Sequence, residues 1–265
     1  MKKLKNKKWQ KPRRFYKGRF FYIKRTLQIT SYLLVIALVM GTVYYLENSD
    51  TLFVKKVSVL GDKGYLTKED VIKLSGIQNN DKLFKIDLEE VSKKILRHPW
   101  VDSVSMRREF PDTIQIHLEE RKPVAILRLK NFYLVDQNGI VFKKMKKKDF
   151  SDVPVITGFE ELFAEKYPLV SKKYLKETLD FLNFLKGFSF YQRFEISEIH
   201  FDPVFGFTVF PLKIPLEIYY GKKDWQTKQN KFEKFVSSKT FLRENFVRLD
   251  LNTPQKIIAR RNTSK

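Results

Sequence analysis

Twenty residues from Leu27 to Leu46 run LQITSYLLVIALVMGTVYYL without a charge. At 1.5 Å per residue such a run reaches about 30 Å, the thickness of a bilayer's hydrocarbon core. The pattern predicts a transmembrane helix over 27–46, with Tyr44 and Tyr45 at one interface. It is longer than a signal-peptide apolar region, and no small-x-small cleavage site follows it.

Beyond it the periodicity shortens. Val54 to Leu60 alternates and stops at Gly61, which predicts a strand. Thr67 is placed as an N-cap with Asp70 three residues on, Val71 and Leu74 face inward, and Gly76 ends that helix. Asp87 and Glu90 open a second helix with the stripe Leu88, Val91 and Ile95, ended by Pro99. A hairpin follows. Val104, Met106 and Arg108 share a face of its first strand, Phe110-Pro111-Asp112 makes the turn, and Ile114, Ile116 and Leu118 share a face of its second. Trp100 is read as a core anchor between helix and hairpin. The order is β-α-α-β-β over 50–122, an α+β module with two helices on one face of a three-stranded sheet.

From 123 to 260 the chain reads as a mostly antiparallel sheet with helices on one side. Phe132–Asp136 and Ile140–Phe142 flank an Asn138-Gly139 turn, and Pro154–Gly158 is a short strand entering a turn. Ser171–Gly187 carries Leu175, Leu179, Leu182 and Leu185 on one helical side. Strands are placed at Glu195–Phe201, Phe205–Phe210 and Leu216–Tyr220. Asp224 is placed as the cap of a helix bearing Trp225, Lys228, Phe232 and Phe235. Phe246–Leu251 and Lys256–Arg260 close the chain as strands, leaving 261–265 as a tail.

Charge adds a topology to this layout. The net charge is +22, and residues 1–25 hold 12 Lys or Arg and no acid. Basic residues on one flank and Glu47 and Asp50 on the other predict that arm 1–26 stays cytoplasmic while the bulk crosses the membrane. Beside a span, the arm reads as an anionic-headgroup contact rather than a nucleic-acid binder. Lys143–Lys148, five Lys in six residues, reads as a solvated loop, with lipid or cell-wall polymer as its functional alternative.

No GxGxxG, P-loop, GxSxG or HExxH is present, and there is no Cys. His98, His117 and His200 show no ligand spacing. Glu119 and Glu120 are neighbours on a strand and point to opposite faces, so they make no acid–base pair. No catalytic residue, metal, cofactor or small-molecule substrate is expected.

The residues also carry a resemblance. The β-α-α-β-β order resembles a POTRA domain. Val57-Ser58-Val59-Leu60-Gly61, Lys82-Leu83-Phe84-Lys85-Ile86-Asp87, His98-Pro99-Trp100-Val101, Arg107-Arg108-Glu109-Phe110-Pro111-Asp112-Thr113-Ile114 and Glu120-Arg121-Lys122-Pro123-Val124-Ala125 resemble, in order, the FtsQ/DivIB cell-division proteins. Leu134–Gly139, Pro154–Gly158, Tyr220-Gly221 and Arg248–Leu251 extend the likeness through the second module.

The resemblance implies a non-catalytic, single-pass type II inner-membrane scaffold of the division septum. It implies partners of the FtsB and FtsL type and a part in controlling septal peptidoglycan synthesis. It places a partner strand against the last strand of the sheet, at Asp250, Asn252, Thr253, Lys256, Ile257, Ile258 and Arg260. Asn252 and Thr253 stand where the family often has an aromatic residue. Ile258→Pro is expected to abolish partner binding while the ectodomain stays folded, by removing a ladder donor on an edge strand. The strand Val54–Leu60 is a second candidate edge. The competing reading is a POTRA-containing envelope assembly or secretion component.

Overall fold

The computed structural model describes residues 16–48, 52–61, 64–149, 151–160, 168–253 and 255–262. The basic arm up to Phe15, Pro254 and residues 263–265 fall outside it.

Helix α1 (Tyr16–Asn48) contains the apolar run, whose membrane-length part is Tyr22–Tyr45. Its 24 residues span about 36 Å, long enough to cross a bilayer. Thr26, Thr30, Ser31 and Thr42 return their hydroxyls to helix carbonyls, which removes unpaired polar groups from an apolar setting.

The first module follows the predicted order. β1 (Lys56–Gly61), α2 (Lys68–Ser75), α3 (Leu88–Leu96), β2 (Val101–Glu109) and β3 (Thr113–Glu120) build a sheet ordered β1-β3-β2. Local chemistry fixes the helix ends. Thr67 and Asp70 form a reciprocal capping box on α2, and Gly76 ends it with φ +69°. Asp87 accepts from the amides of Glu89 and Glu90 at the start of α3. Val71, Ile95, Ile114, Ile116 and Leu118 form the core with Val54, which lies just before β1. Burying each contributes about 1.5–3 kcal/mol. β1 runs parallel to β3, and β2 antiparallel.

The second module is broader. Among the described residues its strands are β4 (Pro123–Arg128), β5 (Phe132–Asp136), β6 (Val141–Lys144), β7 (Val155–Thr157), β8 (Ile196–Asp202), β9 (Gly206–Pro211), β10 (Glu217–Gly221), β11 (Phe246–Asp250) and β12 (Ile258–Arg261). They join in the order β12-β11-β10-β9-β8-β7-β4-β5-β6. Most neighbours are antiparallel. The parallel pairs are β4 with β7, β7 with β8, and β10 with β11.

α4 (Pro168–Lys186), α5 (Ser189–Phe194), α6 (Trp225–Val236) and α7 (Lys239–Arg243) supply the helical layer. Leu175, Leu179, Leu182 and Leu185 are all buried. Phe181 stacks on Phe207 at 4.5 Å and meets Tyr220 edge-on at 5.2 Å, so much of this core is aromatic. Inside it Tyr191, Tyr220 and Gln229 form a buried polar chain, and burial raises the pKa of both phenols.

Several expectations change. β4, α5 and α7 carry no clear sequence pattern and were not expected. The last strand is shifted C-terminally, to 258–261, so Arg261 belongs to it rather than to a tail. Asp224 occupies the N-cap position of α6, but its backbone is left-handed (φ 57°) and its side chain makes no cap bond.

Trp100 lies at the junction of the modules rather than within the first. It packs with Ile126 of β4 and Leu134 of β5, stacks on Tyr65 at 3.6 Å and meets Phe142 of β6 edge-on. Lys143 sits 4.7 Å over the indole and pairs with buried Asp149, so this member of the lysine run is anchored, not solvated. Arg121 fastens the same seam. It pairs with Asp102 of β2 and Asp136 of β5, and donates to the Val101 carbonyl.

A candidate partner-binding edge

The residues expected to meet a partner converge on the open edge of the nine-stranded sheet. Among the described residues β12 pairs with β11 alone, in the register Asp250↔Ile258, Leu249↔Ala259 and Arg248↔Arg260. All four of its residues are exposed, Ile258 to 57%. One side of its backbone is therefore free to pair with another strand.

The outward donors follow from hydrogen-bond alternation. The Asn262 N–H donates to the Asn245 carbonyl at 2.9 Å. Alternate amides of an antiparallel strand face the same neighbour, so Arg260 and Ile258 also donate toward β11. Ala259 and Arg261 then aim their N–H groups outward. This corrects the sequence expectation: proline at 258 would loosen β12 from its own sheet, whereas proline at 259 would remove a donor available to a partner.

The edge is held in place by the connection that precedes it. Asp250 accepts from the Asn252 amide at 2.8 Å, which turns the chain out of β11. The Asn252 side-chain oxygen takes a hydrogen bond from Lys228 Nζ at 2.9 Å, and the same ammonium donates to the Tyr220 carbonyl at 2.7 Å. Gly221 (φ +67°) permits this approach, since a Cβ there would lie 2.4 Å from that oxygen.

Three residues along α6, Lys231 donates to the carbonyls of Leu251, Thr253 and Lys256. Two ammonium groups of one helix thus gather the β11–β12 connection. Burial lowers the pKa of both lysines. Ile257 packs on the aromatic core and leads into β12. Arg248 and Arg260 share one sheet face, with Glu217 3.5 Å from Arg248. Arg261 of β12 pairs with Glu244, and a partner carboxylate beside Arg260 would complement the edge.

Lys228 was legible as part of the inward face of α6. Lys231 was missed. Its signal is the i, i+3 spacing from Lys228, which puts a second ammonium on the same stripe. Replacing Lys231 with Met should leave the core intact and cost the connection about 2 kcal/mol of local stability. Hydrogen exchange would then show the β12 amides opening roughly 30-fold more often.

Among the described residues the second candidate edge, β1, pairs only with β3. The histidines stay apart. His200 shares a hydrogen bond with Thr157 inside the large sheet. His117 is exposed on β3. His98 lies at the module junction, where burial, then the nearby Lys143, lowers its pKa. Among the described residues no group of three His, Cys, Asp or Glu is arranged to hold a metal.

Comparison with known proteins resolves the family. Residues 52–121 match the FtsQ-type POTRA domain, and residues 125–252 match the C-terminal domain of the cell division protein FtsQ/DivIB. The cell division protein FtsQ of Geotalea daltonii is 32% identical over 196 residues, 74% of this chain and 71% of the relative. The chain belongs to the FtsQ/DivIB family. The FtsQ of Syntrophotalea carbinolica is 31% identical over 218 residues, 82% of this chain and 77% of its own. That of Neisseria meningitidis is 35% identical over 142 residues, 52% of this chain and 58% of its own. This is a family of cell-division scaffolds. The FtsQ/DivIB match ends at Asn252, so Thr253, Lys256 and Ile257 of the connection and Ile258 and Arg260 of β12 lie beyond it.

Proposed function

We propose that the chain is a non-catalytic, bitopic scaffold of the bacterial divisome that captures a partner strand on β12. In this reading the N-terminal arm stays in the cytoplasm and both folded modules lie outside the inner membrane, at the division septum. The partners are small single-pass division proteins of the FtsB and FtsL type. Holding them there couples the scaffold to the control of septal peptidoglycan synthesis.

The observation that carries the proposal is the open backbone of β12, pre-set by Lys228 and Lys231. An extended segment can add to such an edge through main-chain hydrogen bonds, with side chains setting specificity. Asp250, Asn252, Thr253 and Lys256 shape the approach to that edge, Ile257 seats it, and Ile258 and Arg260 lie on it.

The experiment is a fluorescent fusion that restores growth to dividing cells lacking the chromosomal copy, combined with capture of its partners. A midcell band before constriction, with single-pass division proteins recovered alongside, is the expected result. A uniform envelope signal from a functional fusion refutes the septal role.

A further inference from the structure

The end of the first module where the chain arrives from the membrane has a surface that the partner edge does not use. Leu52 and Val54 are stitched to two loops there. The Leu83 N–H donates to the Leu52 carbonyl, the Val54 N–H to Asp81, and the Lys55 N–H to Asp112, each at 2.9 Å. Those contacts put the turn Lys82–Lys85 and the turn of the β2–β3 hairpin side by side at the point of arrival.

Each turn carries an aromatic ring. Phe84 is 49% exposed and Phe110 62% exposed, and their centroids lie 5.6 Å apart. Around them Lys55, Lys56, Lys85 and Arg107 are exposed and Lys82 is half-buried. Acids are present but fewer: Lys55 lies 3.8 Å from Asp112, and Glu109 is exposed. Arg108 braces the first turn by donating to the carbonyls of Leu83 and Ile86, so Phe84 is held on a fixed loop.

Covalent reach decides what can lie opposite. Only four residue steps separate Asn48, at the end of α1, from Leu52. A chain that short extends at most roughly 14 Å. The opposite end of the module is the Trp100 junction, about 23 Å away along β3. The Phe84–Phe110 end is therefore the one tethered beside the bilayer.

We propose that this end docks on the membrane surface, with Phe84 and Phe110 seated among the headgroups and Lys55, Lys56, Lys82 and Lys85 against anionic lipid. Aromatic rings favour the interface, and clustered lysines favour anionic headgroups. The contact would limit rotation of the first module about its tether and fix the direction in which the second module extends.

The chain has no Cys, so one label can be attached cleanly. The full-length protein with Phe110→Cys would carry an environment-sensitive fluorophore in nanodiscs containing phosphatidylglycerol and a headgroup-region spin-labelled lipid. Val204→Cys, on an exposed loop of the second module, is the reference. Quenching at 110 should exceed that at 204 at least threefold. It should fall by half or more in phosphatidylcholine discs and when the four lysines are replaced by Gln. Equal quenching at 110 and 204 overturns the proposal. Quenching at 110 that ignores both lipid charge and the lysines overturns it as well, because the tether alone then accounts for proximity.

Discussion

Ala259→Pro is expected to leave the protein folded and to weaken capture of a partner strand by about 100-fold. Ala259 is exposed and its N–H points away from β11, so proline there removes no bond of the sheet itself. In a complex, the partner carbonyl opposite would be desolvated and left without its donor. That penalty, with the lost bond, amounts to about 2–4 kcal/mol. Binding of the full chain to an immobilised partner segment measures the change, and circular dichroism checks the fold. Ala259→Ser, which keeps the N–H, should bind like the parent chain. Unchanged affinity for the proline variant would rule out strand addition at β12.

The largest effect on stability is expected at Arg121. Its side chain is only 14% exposed and pairs with Asp136, whose side chain is 4% exposed. Asp136 is also committed to the amides of Asn138 and Ile140. Arg121→Leu therefore strands a buried carboxylate at the seam of the modules. Removing one partner of a buried pair costs about 3–5 kcal/mol. Denaturant unfolding of the soluble part should show that loss. The double change Arg121→Leu with Asp136→Asn should recover part of it, because the orphaned charge is then gone. A loss under 1 kcal/mol would mean that the Trp100 cluster alone holds the seam.

How much of this was readable from residues depends on whether the cause was local. The membrane helix is a run without charge. The first module announces itself because Thr67, Asp70, Gly76 and Asp87 act within one turn of helix, and Ile114, Ile116 and Leu118 alternate on one strand. β4 was not readable. Ala125 and Leu127 face the aromatic core while Ile126 faces the junction, so an apolar residue is required at every step and the alternation disappears.

The short helices α5 and α7 span too few turns to show a period. Trp100 depends on Ile126 and Leu134, which the first module's own pattern cannot reveal. At the candidate site, Asp250 and Ile258 were legible as strand positions. Which amides face outward was not, because a register shift between Phe246 and Arg248 intervenes, and bulges depend on both strands at once.

The order of the strands has one more consequence. β4, β5 and β6 carry the seam with the first module, whereas β12 closes the opposite edge. Six inter-strand spacings of about 4.8 Å place β12 roughly 29 Å from β4. A strand added at β12 extends the sheet away from the seam and touches nothing that the first module uses. Occupancy of the two ends should then be statistically independent: a ligand on one leaves the affinity of the other unchanged, and the chain behaves as a connector whose two ends saturate separately.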